Sequence, residues 1–130
     1  DGLAIRYASA SPDQEKLQAE VTEILEKECA AAKAADVQTW NRYSDEFHLV
    51  FYRYCNNSRL AESAERLRSG ISIFSNQYCR ETVIQTRIDE EHLAIFQAYK
   101  DGDIEKAVQM MKTHLNDSLN YALRFLPETF

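Results

Sequence analysis

The chain has three histidines, His48, His92 and His114. Each falls in a segment of helical periodicity, on the apolar stripe rather than the solvated side. Imidazole is polar and is the commonest metal ligand, so three of them turned inward from three different helices suggest one internal metal site. Asp45 lies one turn before His48 on the same helical face, where a carboxylate can chelate the same ion. A single inward histidine more often satisfies itself with a backbone carbonyl or a tyrosine hydroxyl at the core margin. The wide separations along the chain carry no metal signature of their own, unlike a His-Glu-x-x-His run. The metal reading therefore requires the three rings to lie within about 8 Å of one another, since bonds to a shared ion are only about 2 Å long.

Six helical segments would have to bring the rings together. Leu3 to Ala8 resembles the tail of a helix begun upstream. Ser11-Pro12-Asp13-Gln14 reads as a helix start, with Ser11 as cap and Pro12 at the first helical position. Leu17, Val21, Ile24, Leu25 and Glu28 then follow three-and-four spacing as far as about Ala34. Asp36 caps a third helix carrying Val37, Trp40, Phe47, His48, Phe51, Tyr52 and Cys55, which stops near Asn56-Asn57. A fourth runs from about Ser58 to Gln77 with Leu60, Ala64, Leu67, Ile71 and Phe74 as its buried stripe and Gly70 as a weak point. The fifth, Glu81 to Lys100, carries Ile84, Ile88, His92, Ile95, Phe96 and Tyr99. Asp101-Gly102-Asp103 ends it and caps the sixth, Ile104 to about Leu126, with Met110, Met111, His114, Leu115 and Tyr121. Strand signals are nearly absent. The predicted fold is all-α, an antiparallel bundle of six to seven helices.

Composition narrows the function. The 130 residues suit one domain, 45% of them are hydrophobic, and no apolar run is long enough to span a bilayer. A net charge of −6 argues against a surface that itself grips nucleic acid. Cys29, Cys55 and Cys79 lack Cys-x-x-Cys spacing and read as reduced thiols of a cytoplasmic protein. No targeting peptide is visible at Asp1, and a trimmed fragment is expected.

The run Asp36-x7-Ser44-x2-Phe47-His48, then Asn57-x2-Leu60, Glu91-His92-x2-Ile95-x2-Ala98, Gly102-Asp103, Ala107, Met111 and His114-Leu115 resembles the FCD domain, the helical effector domain of the FadR branch of GntR-type bacterial transcription regulators. The likeness covers nearly the whole chain in order. It implies a homodimerising domain spanning residues 1–130 that binds a small effector, often an organic acid, beside a divalent metal: Zn²⁺ first, with Ni²⁺ or Mn²⁺ as alternatives. It also implies a truncated first helix and an N-terminal winged-helix domain, absent from this chain, that makes the DNA contact. In the family the ligands are three histidines, matching His48, His92 and His114, and an Asp one turn before the first. Ser44 stands where that Asp is usual, and its neutral hydroxyl is a much poorer ligand. Asp45 is rotated from Ser44 by about 100° on the helix, so three imidazoles with water or effector completing the shell is the favoured form.

An effector carboxylate would take the open coordination position, with an Arg gripping its other end. Arg87, on the helix of His92, and Arg80 before it are the candidates, and Tyr52, Tyr99 and Tyr121 lie one helical step from the histidines as pocket walls. The leading reading is thus an effector-sensing, non-enzymatic regulator domain. Two others compete: a three-histidine metal enzyme and a purely structural helical interaction module. Against the enzyme, no carboxylate is evidently poised as a general base, Glu91 adjoining His92 in sequence but facing elsewhere.

Overall fold

A computed structural model describes the backbone of residues 2–78 and 81–123 and the side chains of all of these except 70–78 and 122. The described chain is all-α: α1 (Gly2–Ser9), α2 (Gln14–Lys33), α3 (Val37–Arg53), α4 (Ser58–Tyr78), α5 (Thr82–Lys100) and α6 (Ile104–Leu123). Helices consecutive in the chain pack on each other at α2–α3, α3–α4 and α5–α6, and the bundle is closed by α1 against α6 and α2 against α5.

Local chemistry sets the boundaries. Asp36 caps α3, accepting from the Thr39 backbone N–H at 3.2 Å and the Thr39 hydroxyl at 2.7 Å. Asn57 does the same for α4, accepting from Leu60 N–H, and Asp103 for α6, accepting from Lys106 N–H. Gly102, at φ +80°, supplies the left-handed residue that lets α5 stop at Lys100, three residues before that cap. The second helix starts later than Ser-Pro spacing predicts. Ser11 accepts from Asp13 N–H in a tight turn, and the helix begins at Gln14.

The apolar core joins α1, α2, α3, α5 and α6 through fully buried Ile5, Leu17, Val21, Phe47, Val50, Ile95 and Met111. On α4 the expected stripe is corrected. Ala64 is buried and Leu60 half-buried, but Leu67 is 67% exposed, and it is Arg68, one turn after Ala64, that faces inward. Ile71, Phe74 and Gly70 lie outside the described side chains, as do the sixth helix's last expected turn beyond Leu123 and Cys79. Cys29 and Cys55 are free thiols.

Candidate metal centre

The three histidines converge. Ring centroids lie 5.0 Å apart for His48–His92, 5.3 Å for His48–His114 and 4.7 Å for His92–His114. All three are buried. Helical spacing does this: His48 shares a face of α3 with Phe47 and Phe51, His92 lies one turn before Ile95 and Phe96 on α5, and His114 lies one turn after Met111 on α6, all rows that pack inward. Phe47 stacks on the His92 ring at 4.1 Å and fixes its plane.

The Nε2 atoms point at each other. His92 Nε2 is 3.1 Å from His114 Nε2, which is 3.4 Å from His48 Nε2, and one nitrogen from each ring lies within 4.8 Å of the others. A tetrahedral ion with Zn–N bonds of about 2.0–2.1 Å sets neighbouring donors about 3.3 Å apart. The spacing therefore suits a shared ion.

The opposite ring nitrogens fix the tautomers. His92 Nδ1–H donates to Glu28 at 2.9 and 3.1 Å, and His114 Nδ1–H donates to Glu91 Oε2 at 3.2 Å. In the tautomer with the proton on Nδ1 a neutral imidazole carries its lone pair on Nε2, and with both rings in that form the His92–His114 contact brings two acceptors face to face. A cation between them resolves this. Burial holds His48 and His92 well below the usual imidazole range, with the Arg68 charge adding to the effect at His48 and His114 at His92. Three ring nitrogens converging at this spacing fit a divalent metal.

Behind His92 stands a second buried layer. Glu28 is wholly enclosed and hydrogen-bonds to Asp89, which accepts from the Trp40 indole N–H at 2.9 Å. Burial pushes Glu28 up to about 7 and Asp89 up to about 8, Asp89 further raised by Glu28 itself. The two carboxyls are hydrogen-bonded to each other and both are raised, so the pair favours holding a proton while Glu28 faces His92. Burial lifts the adjacent Cys29 thiol to about 11, so it stays protonated.

The other expected residues are dispersed. Asp45 is outside the converging set and pairs with Arg68 of α4, Oδ1 to Nε at 3.6 Å. Ser44 is half-buried one turn before His48. Arg87 is 65% exposed and lies 3.8 Å from Glu91. Tyr99 is buried, but its hydroxyl donates to Gln14 at 2.6 Å. Tyr52 and Tyr121 are half-buried, and Arg80 lies outside the described residues. Glu91 is a correction: it faces away from His92, yet it reaches across to His114 on α6.

Three participants escaped sequence reasoning. Glu28 had a signal, an acid on the apolar stripe of α2. Asp89 follows one turn before His92 with no comparable mark. Arg68 had none, sitting among Glu65, Arg66 and Leu67.

A family model described as the FCD domain matches residues 1–117. Neither the curated proteins nor the solved structures searched contain a match. With 117 of its 130 residues matched, the chain belongs to the FCD domain family.

Proposed function

We propose that this FCD domain senses a small organic acid beside a divalent metal held by His48, His92 and His114, as the effector-binding part of a GntR-type transcription regulator. The observation that carries the reading is the meeting of the His92 and His114 Nε2 atoms at 3.1 Å while each Nδ1 faces a carboxylate. Zn²⁺ suits three neutral imidazoles, with Ni²⁺ or Mn²⁺ as alternatives. When bound, the ion supplies a Lewis-acidic position open to an effector carboxylate.

The protein's own residues do the rest. Glu28 and Glu91 fix the ring orientations. Burial excludes water. Arg68 stands near enough to oppose protonation of His48 and His92 and is largely buried, so it replaces exposed Arg87 as the group for the acid's far end. Effector binding would favour one arrangement of α3, α4 and α6 in a homodimer, changing the disposition of N-terminal winged-helix domains on DNA. No helix among the described residues is long and apolar enough to cross a membrane.

Calorimetric titration of succinate into zinc-loaded and chelator-stripped protein tests this. Binding at least about tenfold tighter to the loaded form, a gap of about 1.4 kcal/mol, is expected. Equal affinity for both forms contradicts the reading.

A further inference from the structure

A cleft of about 620 Å³ opens between α3 and α4, its lining including Gln38, Asn41, Asp45 and Leu49 of α3 and Arg68 and Ser69 of α4. At its inner end the Arg68 side chain is 15% exposed and the Asp45 side chain 18%. The two form an ion pair, but a loose one. Their 3.6 Å separation exceeds hydrogen-bond length, and among the described residues the buried Arg68 Nε has no hydrogen-bond partner. A guanidinium normally binds a carboxylate through two parallel N–H···O bonds, and a largely buried one is costly to leave without an anion. Asp45 thus neutralises Arg68 without filling its hydrogen-bonding capacity.

The position of the pair is informative. Asp45 lies one turn before His48 on α3, Asp45 and Arg68 both line the cleft, and the Arg68 charge is felt at His48 and His92. The lining is mostly polar and offers both donors and acceptors, a setting for a short hydrophilic acid rather than an acyl chain.

We propose that Asp45 is a built-in competitor for the effector: it occupies Arg68 in the empty cleft, and an incoming carboxylate takes its place with better hydrogen-bond geometry. The competition sets a threshold on effector affinity. An acid must outbid an aspartate already tethered beside the guanidinium, so neutral analogues are rejected. This rests on the effector reading above, and it adds that the site's own acid tunes its sensitivity.

The experiment is succinate titration of wild type, Asp45→Asn, Arg68→Gln and the double variant, each zinc-loaded and chelator-stripped. Removing the competing charge should tighten binding about tenfold in Asp45→Asn, while Arg68→Gln weakens it by about tenfold or more. The gain from Asp45→Asn should vanish in the double variant. Where binding is too weak for calorimetry, melting temperature against succinate concentration gives the same ranking by mass action. Unchanged or weaker binding in Asp45→Asn, with Arg68→Gln impaired, overturns the competitor role and leaves the effector reading standing. The expected ranking with no dependence on zinc upholds the competitor and defeats the metal part of that reading. An Arg68→Gln protein that melts normally and binds like wild type overturns the proposal at its anchor.

Discussion

His92 and His114 are each held through Nδ1 by a glutamate, but in opposite surroundings: Glu28 has no exposed surface, whereas the Glu91 side chain is 27% exposed and also faces Arg87. Charge–dipole interactions strengthen as water is excluded. Glu28 is in addition backed by a hydrogen bond with Asp89, itself oriented by Trp40. Glu91 is held below the usual carboxylate range by His114 and Arg87, against the opposing effect of its partial burial. The same contact should therefore carry more weight at His92 than at His114.

The strongest challenge to that contrast is loss of a donor. His92→Ala should reduce zinc affinity beyond the roughly 100-fold that bounds the effect of an outer carboxylate, measured by competition with a chromogenic chelator. Next come the glutamates. Glu28→Gln should weaken zinc binding about 10–100-fold and Glu91→Gln about tenfold or less. Equal losses in the two variants would erase the distinction drawn here.

A smaller effect concerns proton linkage in the metal-free protein. The Asp89 carboxyl has its folded value raised to about 8 from an ordinary 3.8, so the folded chain binds this proton more tightly than the unfolded one. Its contribution to stability is complete below the unfolded value and disappears as pH rises through about 8. Urea midpoints should accordingly fall between pH 7 and 8.5, at a slope of no more than about 1.4 kcal/mol per pH unit for one proton. Histidine titration in the unfolded chain is nearly over in that window. Asp89→Asn, which mimics the protonated acid, should flatten the slope, and a slope that persists would place the proton elsewhere. Least affected should be Arg87→Gln, since an exposed pair is worth about 0–1 kcal/mol. Zinc affinity in the same chelator assay should shift by less than about fivefold.

The histidines were legible because a polar ring on an apolar stripe is conspicuous in a single helix. Helix limits were legible from Asp36, Asn57 and Gly102-Asp103 for the same local reason. Glu91 was misjudged because periodicity tells which way a residue faces on its own helix, not which neighbouring helix it meets. Leu67 was misplaced for a related reason. The apolar count on α4 favoured Leu67, while the structure turns the row of Ala64 and Arg68 toward α3, where half-buried Asp45 lies. Glu28 shows an intermediate case, in which the stripe placed it inside and the partner that makes it useful lies 64 residues away.

The most direct measurement is zinc stoichiometry by calorimetry on untagged protein, wild type beside the His48→Ala/His114→Ala double variant. One saturable ion per wild-type chain and none in the double variant is the expected result. No saturable binding in wild type, or a full equivalent surviving in the double variant, would contradict a metal centre built on these three imidazoles.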